Sequence, residues 1–545
     1  MTEYVGLLPR RRRTIQTCAA AAAALEASGI QVVRSEEGPL ASVIFRTDKP
    51  LAPELRAMFS AVSENKVRSL PSPPPDQDPK AIASLGLSPK LFQLGMRVES
   101  RDVSIAIRDS LVAIGMERVW ADPEWHEGEG MYVGINDTGI DLSIAKQLFD
   151  DRVVEHFTAE GISGPNHFHA KVCAAVFGRK YQEYEEPEPP PPERDVLQIW
   201  RGMANRVKIY DGRSLNCYGQ GTTGTVASVF NWMASRNPKP LVINCSLGSE
   251  EHDAVFETLL QELWDMGIIT VVAAGNNGIF PPACDGRLNC PADTPCAIAV
   301  GATDGGKRTP DLPKEGCMQW AAKNPDGLGR TQIHYVVAPG YGIIIEIGGA
   351  GYTGTSLATP HVVGAFIVAF SYIALYYPDL TIQEKAGLAV RIVEETCFNL
   401  GYDGDERYTV PGKPLFEQPH YCIQGHGRIQ VDAVMDRAKG QQPQPPRKVE
   451  KVEFFLQGEN FATLTSPISG DLWQVEQIIQ EEGDYEFKAV AWSKGESQPS
   501  NIVRFKVRKS ELPTKIVCTV EGPLDDEEWE PGSIPFKVRA SIKTE

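Results

Sequence analysis

Residues 349–370 read GAGYTGTSLATPHVVGAFIVAF, and the two halves of this stretch follow different rules. Up to Ser356 the chain consists mainly of glycine and small side chains; beyond Pro360 it is an apolar run without Asp, Glu, Lys or Arg. The second half predicts a long buried helix. Pro360 fits the first turn of that helix, where a missing N–H costs nothing. Ser356 then stands at the helix start with its hydroxyl exposed, beside N–H groups that lack intrahelical partners and favour negative charge. A serine so placed is either a nucleophile or a cap on a buried helix, and this stretch alone leaves both readings open.

Further out, the apolar runs MYVGIND (131–137), PLVINCSLG (240–248), GIITVVAAGNNG (267–278) and CAIAVGATD (296–304) alternate with helical segments between about 100 and 438. Strands without polar alternation are covered on both faces, which predicts an α/β domain around a mostly parallel sheet. Residues 1–72 alternate short strands and helices, a small α+β unit. From 449 the pattern changes to period two in KVEFFL, FATLTS, LWQVEQII, DYEFKAVAW and NIVRFKV, which predicts a small all-β sandwich. Proline-rich seams at 70–79 and 440–448 read as linkers, and EEPEPPPPERD (185–195) as a solvated acidic loop. The expected division is 1–72, a lead-in over 73–114, a main domain over 115–438 with an acidic insertion at 180–199, a linker at 439–448, a sandwich over 449–508, and a partial second β module over 509–545.

Length and composition agree with this division. A chain of 545 residues holds two to four domains at roughly 150 residues each. The formal charge of −17 argues against nucleic acid as a partner, because neutralising phosphates needs a basic face. No stretch approaches the roughly 20 apolar residues of a membrane helix, so no membrane partner is expected. PRRRRTIQTCAAAAAALEASG (9–29) mimics a signal peptide, but its weakly apolar run contains Glu26 and reads as an alanine-rich helix. The compartment stays unsettled, with the cytoplasm favoured slightly over secretion. Of the 11 cysteines, Cys173 and Cys245 sit in apolar runs and read as buried thiols. Cys284, Cys290 and Cys296 share a Gly/Pro loop that can hold a disulfide, and their spacing lacks the close pairs of a zinc site.

A serine hydroxyl needs a base to become a nucleophile, and the base needs a third group to fix its tautomer. Asp137 ends an apolar strand and so lies at the carboxyl edge of the sheet, where such sheets build sites. Asn276 follows another strand after Gly275, which lets the backbone turn, and its amide can donate to an oxyanion. NHFHAKVCAAVFG (166–178) offers two histidines, His167 and His169. Taken locally, a metal pair, a surface pair and a general base all look like this.

DTGID (137–141), INCSLGS (243–249), AAGNNG (273–278), VVAPG (336–340), GTSLATPHVVG (354–364) and GHGRIQVDAV (425–434), in this order, resemble the subtilisin-like serine proteases, the subtilases. The resemblance covers 115–438 and implies a three-layer fold and a serine endopeptidase acting on proteins or peptides through an acyl-enzyme. It implies Ser356 as nucleophile, Asp137 as orienter, and Asn276 with the Ser356 N–H as oxyanion donors. Ser246, Leu247, Gly248 and Gly275 would bind substrate. The family's His-Gly-Thr-His block, followed by Val-Ala-Gly, is altered here. With His169 as the base, Cys173, Ala174 and Ala175 take the small positions; with His167, Lys171 would enter the buried face at a cost. The separation of 32 residues between Asp137 and His169 also resembles the family spacing. The altered block motivates one alternative, a binding protein on an impaired subtilase scaffold. No cofactor and no metal ligand is expected; calcium stays open, but its common subtilase site is expected to be lost, because Lys146 stands where many subtilases place a carboxylate and the insertion at 180–199 replaces the ligand loop. Residues 1–72 resemble subtilase propeptides in element order only and are otherwise an accessory domain. The C-terminal sandwich resembles bacterial immunoglobulin-like modules, which bind partners or act as spacers. His361 is expected to hydrogen-bond inside the core, and His426 to sit in a turn.

Overall fold

Strands that are apolar at every position send side chains to both faces of a sheet and therefore need two cores, and the protein has both. The computed structural model describes residues 1–9, 15–69, 97–99, 105–185, 197–276, 288–305, 317, 334–346, 350–400 and 423–440, and strands between 451 and 543. Residues 70–96, 186–196 and 441–450, which hold most of the three proline-rich seams, and Cys284 lie outside the described residues. The chain forms two units, Met1–Gln441 and Gln442–Glu545.

The larger unit begins with β1 (Thr2–Leu7), α1 (Ile15–Ala27), β2 (Gln31–Glu36), β3 (Ser42–Thr47), β4 (Ala61–Glu64) and β5 (Val67–Ser69). It continues with β6 (Tyr132–Asp137), α2 (Leu142–Phe149), β7 (Val153–Thr158), α3 (His169–Gly178), β8 (Lys208–Arg213), β9 (Gln220–Thr222), α4 (Thr223–Ala234), β10 (Val242–Cys245) and α5 (Ala254–Asp265). β11 (Ile269–Ala273), β12 (Ala297–Thr303), β13 (Tyr335–Pro339), α6 (Thr355–Tyr376), α7 (Ile382–Glu395) and α8 (Val431–Ala438) follow, with shorter helices and strands between these elements.

The central sheet has the order β13-β12-β11-β10-β6-β8-β7, and every neighbouring pair is parallel. Val242, Val271 and Ile298 enter a core with α3 and α6, whereas their chain neighbours Ile243, Val272 and Ala299 enter a second core with α4 and α5. This is a three-layer α/β arrangement. Full burial of each valine or isoleucine among them contributes about 1.5–3 kcal/mol before conformational entropy is set against it. The helix α6 corrects one expectation: it is long and apolar enough to cross a membrane, yet 89% of its apolar window is buried inside the protein. Its apolar faces are covered by the sheet and by α3, α7 and α8.

At the N-terminus, β2-β3-β1-β4 form an antiparallel sheet. Val43 and Phe45 face Cys18, Ala21 and Leu25 of α1, while Val5, Leu7 and Ile44 join the core that contains α4 and α5. β5 pairs antiparallel with β9, the strand that leads into α4. The first turn of α4 is completed from this N-terminal segment: Thr223 N donates to Lys66 O (2.8 Å) and Gly224 N to Asn65 Oδ1 (2.7 Å). A capping box between Thr222 and Thr225 closes the same helix end, a feature worth about 1 kcal/mol. The acidic insertion at 180–199 has a hairpin stem, with Gln182–Glu185 antiparallel to Leu197–Trp200.

In the second unit, Lys451–Leu456, Glu459–Leu464, Gly483–Ser493, Glu496–Pro499 and Val503–Val507 form one antiparallel sheet. Leu472–Ile479, Thr514–Glu521 and Lys537–Lys543 form another. Residues 514–543 thus complete a sheet begun by 472–479, rather than starting a separate module after 508. The alternating strand LWQVEQII requires a pairing partner, and that partner lies far along the chain.

Candidate active site

Asp137 is the last residue of β6, where the sheet's carboxyl edge leaves its side chain beside the start of α3. Its Oδ1 accepts from Thr138 N (2.6 Å), and its carbonyl accepts from Ser214 N (2.9 Å) and Leu215 N (3.1 Å). His169 opens α3, and its Nδ1 lies 2.9 Å from both Asp137 oxygens, with both side chains fully buried. The carboxylate holds the Nδ1–H tautomer, so the lone pair sits on Nε2. That nitrogen is buried and has no hydrogen-bond partner.

The placement of His169 depends on small neighbours. Cys173, Ala174 and Ala175 are fully buried where α3 packs against α6. Lys171, two residues after His169, stays partly exposed and pairs with Glu346 at 3.3 Å. Burial, and then the negative charge of Asp137, raise the Cys173 thiol pKa well above its ordinary value. His167 does something else. Its Nδ1 accepts from the N–H of His169 (3.3 Å), the first residue of α3, and its ring lies tilted at 48°, 4.2 Å from that of Phe168, so it caps the start of α3. Burial first, and His169 second, hold its pKa down to about 4.

Ser356 is the second residue of α6, buried, with its Oγ donating to Ser246 O at 3.4 Å. Two expectations change here. The hydroxyl is not exposed, and Pro360 lies in the second turn of the helix rather than the first. A proline there removes the bond to the carbonyl four residues back, which is Ser356 O. That carbonyl accepts instead from Ser246 Oγ (3.1 Å) and Cys173 Sγ (3.3 Å), tying β10, α3 and α6 together at one atom.

Asn276 follows β11, and its Oδ1 accepts from both the N–H and the hydroxyl of Thr355, each at 3.0 Å. Both contacts hold Asn276 by its oxygen and fix which way the amide faces. Gly275 has φ +110, and a Cβ there would lie 2.7 Å from Asn289 Cγ, so glycine is required on both counts. Ser246, Leu247 and Gly248 continue from β10 past Ser356, and Ser249 pairs in both directions with Cys290 (2.9 and 2.8 Å). Asp137, His169, Ser356, Asn276 and Ser246 thus converge on one end of the sheet.

Two threonines were not singled out from the sequence. Thr355 orients Asn276, and Thr138 Oγ1 accepts from Ala170 N while donating to His167 O, both at 3.2 Å. Their only signal was adjacency to Ser356 and Asp137. His361 donates from Nδ1 to Leu357 O (2.8 Å) and accepts at Nε2 from Ser110 Oγ (2.9 Å), wholly inside the core. His426 sits in the turn before α8, its N–H on Tyr335 O at 2.9 Å. Lys146 is exposed on α2, and the neighbouring Asp141 accepts from Ser143 N (2.9 Å) as the cap of that helix.

Residues 128–385 match the model of the subtilase family. The chain is 27% identical over 352 residues to an extracellular serine proteinase of Thermus sp. (strain Rt41A), covering 63% of this chain and 72% of that protein. It is 30% identical over 203 residues to subtilisin DY of Bacillus licheniformis, covering 37% of this chain and 64% of the relative. To alkaline elastase YaB of Bacillus sp. (strain YaB) it is 32% identical over 166 residues, covering 30% of this chain and 38% of the relative. The chain thus spans between 38% and 72% of the lengths of these three relatives.

Proposed function

We propose that this chain is a serine endopeptidase that hydrolyses proteins or peptides through an acyl-enzyme. The observation that carries this reading is the buried pairing of His169 Nδ1 with both Asp137 oxygens at 2.9 Å, which leaves Nε2 unpartnered at the end of the sheet where Ser356 lies in the first turn of α6. On substrate binding, Ser356 Oγ turns from Ser246 O to His169 Nε2. The proton passes to Nε2 as Oγ attacks the scissile carbonyl, and Asp137 stabilises the imidazolium. Asn276 Nδ2 and the Ser356 N–H hold the oxyanion. Collapse expels the amine, which takes the proton from His169, and a water deprotonated by the same nitrogen releases the acyl group. Ser246, Leu247 and Gly248 form a wall against which substrate backbone adds as a strand.

The N-terminal sheet, lying against α4 and α5 with β5 on β9, supports a propeptide-like cover for residues 1–72. The two antiparallel sheets of 451–543 support an immunoglobulin-like module that spaces or binds a partner. Lys146 on the face of α2 supports loss of the common calcium site.

A fluorophosphonate probe and casein hydrolysis, run on the full chain and on Ser356→Ala, His169→Ala and His167→Ala, test the enzyme reading. Labelling is expected to vanish in Ser356→Ala, and hydrolysis to fall on the order of 10⁶-fold in His169→Ala. Labelling that survives in Ser356→Ala overturns the nucleophile. Activity lost with His167→Ala and kept with His169→Ala overturns the base.

A further inference from the structure

Away from Asp137, His169 and Ser356, a second group of metal-ligating side chains converges from separate segments. His252 stands in the turn before α5, and Cys290 and Asp293 in the loop before β12, with a ligand atom of each within 4.8 Å of the others. The two-way bonding of Ser249 with Cys290 fixes the turn against the loop. His252 Nδ1 lies 2.8 Å from Asp293 Oδ2, and Nε2 lies 3.1 Å from Glu257 Oε1. Cys290 is fully buried and the Asp293 side chain only 3% exposed. Asp293 Oδ1 is buried with no hydrogen-bond partner.

An ion pair between His252 and Asp293 accounts for Oδ2 and leaves Oδ1 bare. A buried acceptor in that state costs about 1–3 kcal/mol, and more on a charged group. Sulfur, imidazole and carboxylate converging on one point form a donor set suited to zinc. Glu257 strengthens the assignment. With Nε2–H donating to Glu257, the lone pair sits on Nδ1, the nitrogen facing Asp293, and an outer carboxylate orients a ligating histidine in this manner.

We propose that His252 Nδ1, Cys290 Sγ and an Asp293 carboxylate oxygen bind a zinc ion, with water as the fourth ligand. Binding releases two protons to solvent, that of the Cys290 thiol and the one on His252 Nδ1 in its ion pair with Asp293, and gives the bare carboxylate oxygen a partner. The ion links the residues after the Ser246–Gly248 wall to the loop before β12, and so braces one side of the candidate cleft. No short motif announces it, because His252 and Asp293 are 41 residues apart.

The full chain, stripped with chelator, is titrated with Co²⁺ and then with Zn²⁺. One equivalent of Co²⁺ is expected to give tetrahedral ligand-field bands and thiolate-to-cobalt charge transfer, both displaced by Zn²⁺. Cys290→Ser removes the charge transfer, and Glu257→Gln weakens affinity about ten- to a hundredfold. Cys173→Ala keeps the bands, which separates this group from Asp137, His169 and Cys173. Wild type without charge transfer, bands unchanged in Cys290→Ser, or bands lost in Cys173→Ala overturns the site. If Cys290→Ser does not fold, His252→Gln and Asp293→Asn must each abolish stoichiometric binding, and binding retained in both overturns it equally.

Discussion

Thr355 directs both of its donors, the N–H and the hydroxyl, at the one oxygen of Asn276. The orientation of that amide is therefore set by the residue beside Ser356. Asn276→Ala is expected to lower kcat about 10²- to 10³-fold with KM little changed, measured on a short peptide ester or amide. A fall in affinity with kcat preserved would place Asn276 in ground-state binding instead. Thr355→Val keeps the N–H and removes the hydroxyl, so its kcat should fall between those of wild type and Asn276→Ala. Asp137, Asn276 and Ser356 were legible because each follows a strand or opens a helix in a short run whose backbone needs are local. The two histidines were not separable locally. His169 meets Asp137 and His167 caps α3 because of where the sheet edge meets the helix, a relation between segments 32 residues apart.

In α6, Pro360 sits one turn deeper than an apolar pattern predicts, because the helix begins at Thr355, whose N–H is capped from outside by Asn276. A cap supplied by another strand leaves no mark in the helix's own sequence. The carbonyl that Pro360 deprives of an N–H is Ser356 O, and it holds Ser246 and Cys173. Pro360→Ala restores a competing N–H. Thermal stability is expected not to fall, while kcat/KM drops about ten- to a hundredfold as the serine carbonyl draws back into the helix; a displacement of about 1 Å is enough for such a loss. Activity equal to wild type would show that the carbonyl's outside partners are not needed. The next residue sets a pH dependence. Burial holds the His361 pKa down to about 4, below its ordinary 6.5, so the native state keeps it neutral while the unfolded chain protonates it. Its contribution is complete above about 6.5 and is lost as pH falls toward 4, on the order of 3 kcal/mol. The fall in Tm between pH 7 and 4 should be shallower in His361→Gln than in wild type. Parallel Tm profiles would remove His361 from the acid lability.

The sheet's two apolar faces explain how N-terminal residues become part of the larger unit: Val5, Leu7 and Ile44 share a core with α4 and α5, as Ile243 and Val272 do. The three-layer architecture could be read from strands lacking alternation, whereas the covering of α4 and α5 by residues 1–64 could not. Each β-strand there satisfies a generic α+β pattern, and only the fold shows which face is turned where. One polar link pins the cover. Asn231 of α4 accepts from Leu40 N at 2.8 Å and donates to Glu37 O at 2.7 Å. Asn231→Ala leaves the buried N–H of Leu40 unpaired, a loss of about 1–3 kcal/mol, while the carbonyl of the exposed Glu37 can turn to water. In the full chain, hydrogen exchange should quicken in residues 31–64 while β6, β10 and β11 keep their protection. Equal quickening in both regions would mean that the N-terminal sheet and the central sheet open as one cooperative body, which a removable cover cannot do. Intact-mass measurement of the active species decides the same question from the other side, since an enzyme that works with residues 1–72 still attached carries them as a fixed layer over α4 and α5.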